Sequence, residues 1–162
     1  MRPTLGPSQA RLILELSGLP ALRFEHTLTR RVIAAIPDEH AGYRPAEGVR
    51  TAGELARHLM GTELRFLGGV VAGTFSELGN AIEPPADLRS VLGAYERRFE
   101  TLTGRLDLLP GEDLVRLLDY RGVVQMPALG FVQFALNHTI HHRGQLSVYL
   151  RAVGAALPPI YG

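Results

Sequence analysis

The stretch NHTIHHRGQLSVY, residues 137–149, carries three of the chain's six histidines: His138, His141 and His142. A helix advances about 100° per residue, so His138 and His142 point the same way to within about 40°. Side chains four apart on a helix have Cβ atoms about 5–6 Å apart, and a zinc–imidazole bond is about 2.0–2.1 Å long. Two imidazoles at this spacing can therefore share one divalent ion. The pair does not complete a site; two or three further ligands must come from elsewhere. The chain has no Cys, which excludes disulfides, thiolate ligands and a nucleophilic thiol. Any ion must be held by His, Asp or Glu.

On the same helical wheel Phe131, Phe134, Gln145 and Tyr149 fall within about 40° of His138, with Ala135 at about 60°. This stripe is expected to face the core, with His141 on its edge. The plain alternative is a pair of neutral core histidines. Two buried imidazoles then need several hydrogen-bond partners to offset desolvation, whereas an ion replaces those partners with two strong bonds.

His58 is the candidate third ligand. It lies in ELARHLMGTEL, one turn after Glu54 and one turn before Thr62. It sits at the border of the apolar face formed by Leu55, Leu59, Phe66 and Val70, a place that suits a ligand closing one side of a solvent-open site. A surface histidine beside Glu54 is the alternative. His26, in line with Leu22, Thr29 and Ile33, is a minor candidate, and His40 reads as a solvated loop residue. Gln145, Tyr149, Thr62 and Glu54 share faces with the three rings and are candidates to accept their second N–H; Glu54 has a competing capping role. His141 is a rim acid/base or an exposed structural residue. Arg143 points away from the ligands and is expected to pack or pair structurally, with a subunit contact as one option. Gly144 is read as permitting a close helix approach.

Four long helices must position these residues. The first is expected from Ser8, as N-cap, to Ile36, where Pro37 stops it; Gly18 and Pro20 should kink or split it. The second starts at Thr51, which forms a capping box with Glu54, and runs to about Ala72. The third spans about Asp87 to Leu109. The fourth begins near Pro127, favourable in a first turn, and runs to Val153, with Gly154 as its stop. Between the last two, residues 110–126 are ambiguous: LVRLLDY reads as a helical turn or an extended piece, and Gly122 breaks it. Apolar Leu136, Ile140 and Leu150 lie outside the ligand stripe. Either the fourth helix is central, or a second face meets another subunit. With no alternating strand pattern, the fold class is all-α, a four-helix bundle in one domain over residues 1–162.

Composition narrows the function. The formal net charge is +1, from 17 Lys+Arg against 16 Asp+Glu. No basic stripe is present, so no nucleic-acid partner is expected. No apolar run approaches the roughly 20 residues of a membrane span, and no signal peptide is read at the N-terminus. The expectation is a cytoplasmic protein with no membrane partner.

The segments RRVIAAIPDEHAGYRP, ELARHLMGTELRFL, HTIHHRGQLSVYLRAVG and the terminal PPIYG, in that order, resemble the DinB-like superfamily over nearly the whole chain. The resemblance implies an up-down-down-up four-helix bundle that forms a homodimer. It implies a divalent metal held by three histidines, one on the second helix and two on the last. Carried over, these are His58, His138 and His142, and all three are present. Related members use small thiols as co-substrates for transfer or isomerisation, so a low-molecular-weight thiol is an expected cofactor beside the metal and a small molecule the expected substrate. The family name refers to damage-inducible expression and implies no DNA binding.

Three protein ligands leave at least one coordination position open, which is the layout of a catalytic site. Neutral imidazoles leave the full +2 charge, which lowers the pKa of a bound water or thiol. Transfer and hydrolysis use the same ligands, and the residues do not choose between them. The expected ion is Zn or Ni, although imidazole also suits Cu and Fe. The competing class is a non-catalytic dimeric bundle whose metal stabilises or senses. Residues 110–126 and Tyr161 are candidates for covering the pocket, with no pattern that places them.

Overall fold

A computed structural model describes residues 5–76 and 87–161. Its first rod consists of α1 (Pro7–Ile13) and α2 (Leu19–Ala34), joined without a break through a π turn at Leu14–Gly18. Gly18 and Pro20 produce the expected irregularity. Proline has no N–H to give the preceding turn, and a locally widened helix absorbs the lost bond. The rod is capped at Gly6, not at Ser8: the Gly6 N–H donates to Gln9 Oε1 at 2.9 Å, and Pro7 occupies the first turn.

The second rod, α3 (Ala52–Ala72), starts at the predicted capping box. Thr51 Oγ1 accepts from the Glu54 N–H at 3.2 Å, and Glu54 Oε2 accepts from the Thr51 N–H at 2.7 Å. It ends at Gly73, whose φ of 72° is left-handed, a conformation glycine adopts without penalty. The third rod, α4 (Leu88–Asp107), is capped by the Asp87 carboxylate. The last, α6 (Ala128–Ala152), follows Pro127 and terminates ahead of Gly154.

The packing partners fix the directions. Gly18 meets Val132, Glu25 and Thr29 meet Arg143, and Ile36 shares a pocket with Leu150, so α2 and α6 run parallel. Ala52 lies beside Tyr149, His58 beside His142 and Phe66 beside Phe131, so α3 is antiparallel to α6. Arg23 pairs with Asp107, Arg30 with Glu96, and Ile33 lies near Leu88, so α4 is antiparallel to α2. The result is the expected up-down-down-up bundle. Its core includes Leu22, Leu59, Met60, Leu67, Tyr95, Leu106, Phe131 and Leu146.

The ambiguous connection resolves into a short α5 (Gly111–Val115) and a hairpin of β1 (Leu117–Tyr120) with β2 (Val124–Pro127), paired Leu117↔Pro127 through Tyr120↔Val124. Arg121 and Gly122 both have positive φ, 56° and 69°, the signature of a tight hairpin turn that matches strand twist. The extended reading of LVRLLDY holds for its last four residues, but the pairing into a hairpin was not foreseen, because each strand is only four residues long. The hairpin lays Tyr120 on Phe66 and Phe75, at ring-centroid distances of 5.1 and 5.2 Å.

Helix α6 is central. Its buried residues are Phe131, Val132, Ala135, Leu136, Thr139, Arg143, Leu146, Ser147 and Leu150, among others. This corrects the expected stripe. The buried face is centred near Thr139 and Leu146, while Phe134 is exposed and His138 and His142 lie at its margin, half-buried. Leu136 and Leu150 are covered from within this chain. Gly144 faces open space, with nothing within 4 Å of where a Cβ would stand, so it permits no close helix approach. Among the described residues, no helix is long and apolar enough to cross a membrane.

Candidate metal centre

The two central helices bring the three predicted ligands together. Each of His58, His138 and His142 offers a ring nitrogen, and these three atoms lie within 4.8 Å of one another. His142 Nε2 stands 3.1 Å from His138 Nε2. Ring centroids are 5.0 Å apart for His58 and His138 and 4.8 Å for His58 and His142. Two ligand nitrogens on a tetrahedral zinc ion are separated by about 3.3–3.4 Å, from a bond length of about 2.0–2.1 Å. The close pair on α6 is near that value.

The hydrogen bonds around the rings decide which nitrogens are available. His142 Nδ1 lies 2.7 Å from Gln145 Oε1. An amide oxygen only accepts, so Nδ1 carries the proton and Nε2 presents its lone pair toward His138. The same Gln145 amide donates from Nε2 to His141 Nε2 at 3.2 Å. Gln145 and His141 thus form a short relay that orients His142. His58 Nδ1 faces Thr62 Oγ1 at 3.5 Å. His138 Nδ1 is buried and has no hydrogen-bond partner among the described residues. Three convergent rings, one of them with its tautomer fixed by an acceptor, fit a divalent cation.

Electrostatics favour the neutral ligand form. Burial, followed by the charges of Arg50, His142 and Arg65, pushes the His58 pKa down to about 4. Burial and the neighbouring rings push His138 down to about 4 as well. His142 is lowered, mainly by burial, with the Gln145 bond opposing the shift. A ring that stays unprotonated at neutral pH keeps its lone pair for a metal.

The other expected participants lie elsewhere. Glu54 is occupied by its cap, and the Tyr149 hydroxyl donates to the Arg50 carbonyl at 3.3 Å. His26 faces inward, stacked on Phe99 at 3.6 Å between centroids, with Nδ1 3.6 Å from Glu63 Oε2. It is not part of the cluster. Arg143 pairs within the chain: its guanidinium is 2% exposed, forms an ion pair with Glu25 and donates to Tyr161 Oη at 2.5 Å. Tyr161 therefore packs against α2 and α6 through Glu25 and Arg143, not over the histidines. The sequence reading overlooked Glu63, a fully buried carboxylate that accepts from the Tyr95 and Thr139 hydroxyls. Its signal was present: apolar Leu59, Met60, Phe66 and Leu67 flank it at three- and four-residue spacing.

The model of the DinB family matches residues 19–162. The chain belongs to the DinB family. It is 29% identical over 137 residues to the uncharacterized protein YjoA of Bacillus subtilis, covering 83% of this chain and 87% of that protein. It is 24% identical over 148 residues to the uncharacterized protein YrdA of the same organism, covering 89% and 86%. The crystal structure of the DinB-like YjoA superposes with a TM-score of 0.75 at 27% identity, over 89% of this chain and 96% of that one. A DinB-like protein from Bacillus cereus gives a TM-score of 0.74 at 24% identity, over 89% and 95%, which speaks for the fold. All three histidines lie inside the matched span of this DinB family chain.

Proposed function

We propose that this chain is a divalent-metal-dependent enzyme that acts on a small molecule, as a transferase using a low-molecular-weight thiol or as a hydrolase. The observation that carries the reading is the convergence of His58, His138 and His142, half-buried, from two separate helices. Zn or Ni is the ion we expect there. Held by neutral imidazoles, such an ion keeps its charge and open positions and acidifies a water or thiol that reaches it.

The chain's own residues support this role. Gln145 holds the His142 ring in one tautomer and is itself held by His141. The capping box fixes the start of α3 and with it the placement of His58, seven residues further on. Among the described residues no fourth His, Asp or Glu joins the cluster, which favours an open catalytic centre over a closed structural one. We take the functional unit to be a homodimer in the cytoplasm.

The test is a screen of small thiols with electrophilic and hydrolysable substrates, comparing metal-loaded wild type with His58→Ala. Turnover by wild type that disappears in the variant supports the reading. Turnover that survives His58→Ala contradicts it.

A further inference from the structure

The three convergent rings stand on two separate helices, His58 on α3 and His138 with His142 on α6. Their meeting therefore depends on where α6 stands against α3. A shared ion tolerates only about 0.2 Å of deviation in its bonds. Apolar contacts between helices are non-directional and allow sliding on that scale. A buried hydrogen bond is directional and allows much less.

Such a bond joins the two helices just behind the rings. The Thr139 hydroxyl donates to Glu63 Oε1 at 3.1 Å, and both side chains are fully buried. Thr139 directly follows His138 and precedes His142 by three residues. It lies about 100° and 60° round the helix from them, on the core side. Glu63 follows His58 by five residues. The two oxygens of its carboxylate divide the bundle between them. Oε2 accepts from the Tyr95 hydroxyl of α4 and faces His26 Nδ1 of α2 at 3.6 Å, while Oε1 takes Thr139 of α6. The carboxylate is thus a post set from α2 and α4, and α6 is tied to it. Among the described residues it is not one of the convergent metal donors.

Stability alone does not account for an acid at this place. Replacing a whole buried polar cluster with apolar side chains of similar volume is often neutral or stabilising. What the apolar alternative lacks is a fixed distance between the helices.

We propose that Glu63 is a positioning residue of the metal centre: through Thr139 it holds α6 against α3 at the spacing at which the His58, His138 and His142 rings share one ion. This rests on the metal-site reading above and adds to it a determinant of affinity outside the ligand set.

The experiment measures zinc affinity by competition with a chromophoric chelator. Thr139→Val keeps the shape of threonine and loses the hydroxyl, and it should weaken zinc about tenfold or more. Thr139→Ser keeps the hydroxyl and should bind zinc as wild type does. Leu106→Ala opens a cavity in α4, which carries no ligand; it should lower the unfolding midpoint and leave zinc affinity unchanged. Glu63→Gln, close in volume, should also weaken zinc, and combining it with Thr139→Val should add little, because both act on one bond. In EDTA-treated protein, magnetisation transfer between the His58 and His142 ring protons, whose rings stand 4.8 Å apart, should be present in wild type and Thr139→Ser and weakened in Thr139→Val. A Thr139→Val protein that binds zinc as tightly as wild type overturns the proposal. So does equal weakening in Thr139→Ser or in Leu106→Ala, or full additivity in the double variant. A wild type that takes up no zinc contradicts the metal reading instead; the ring contacts then decide the positional claim, and their survival in Thr139→Val overturns it.

Discussion

The Thr139 hydroxyl donates to Glu63 Oε1 at 3.1 Å, joining the helix that carries His138 and His142 to the helix that carries His58. The Tyr95 hydroxyl donates to the same carboxylate from α4. With His26 of α2 at 3.6 Å from Oε2, all four rods meet at one buried acid. Burial and the Glu63 charge raise the Tyr95 pKa well above its ordinary value, so the phenol stays a donor.

Removing Glu63 leaves those donors unpaired in the core. Glu63→Leu should destabilise the fold by about 1–3 kcal/mol for each orphaned hydroxyl. The triple variant with Tyr95→Phe and Thr139→Val should recover part of the loss, because apolar groups of similar shape need no partner. Urea unfolding midpoints check this. A triple variant no more stable than Glu63→Leu alone would show that the bonds to Glu63 are not what the core depends on.

Arg143 is the second buried charge, paired with Glu25 and bonded to the Glu25 carbonyl at 3.2 Å and to Thr29 Oγ1 at 3.4 Å. Arg143→Ala should cost about 3–5 kcal/mol, since it leaves the Glu25 carboxylate buried and unpaired. Tyr161→Phe, which removes one exposed hydroxyl from the same group, should cost about 1 kcal/mol. Equal effects of the two substitutions in denaturant titrations would contradict the assignment of the buried pair as the main contributor.

The glycines separate into two kinds. At Gly69 an added Cβ would overlap the Phe75 ring, so Gly69→Ala should destabilise by about 1–3 kcal/mol unless that ring moves. Gly144 sits inside α6 over open space. Gly144→Ala should leave the fold unchanged or stabilise it by up to about 1 kcal/mol, because alanine restricts the unfolded chain and favours helix. Thermal unfolding of the pair gives the comparison.

The histidine cluster sets a pH dependence whose sign follows from its lowered pKa values. In the unfolded chain His58 and His138 take up protons near 6.5, and in the folded chain only near 4. Between those values the unfolded state binds more protons, so stability is full above about pH 6.5 and falls as pH drops toward 4. The unfolding midpoint of EDTA-treated protein should therefore fall from about pH 7.5 to about pH 5. The double variant His58→Gln, His138→Gln should flatten that part of the slope. A wild-type slope unchanged in the double variant would assign the effect to other groups.

The sequence made most of the scaffold legible because its punctuation is chemical. Thr51 with Glu54, Asp87, Gly73, Gly154 and Pro127 mark helix ends by capping or by what proline and glycine can adopt, and the helices begin and end there. The candidate ligands on α6 were legible for a related reason: residues four apart on a helix meet whatever surrounds it. What surrounds it was not legible. The wheel put Phe134 inside and Arg143 out, and the fold reverses both, because an arginine is buried when a distant Glu25 and Tyr161 pair with it. The pairing with Glu25 joins residues 118 positions apart, and helical periodicity carries no trace of it. The hairpin at residues 117–127 escaped for want of length, since four-residue strands show too few alternations.

The account stands most directly on metal content. Protein purified without a His-tag, loaded with Zn or Ni and dialysed, should carry about one divalent ion per chain by elemental analysis, and His58→Ala, His138→Ala and His142→Ala should each lose it while remaining folded. Undiminished stoichiometry in the folded single variants would contradict the claim that these three rings share an ion.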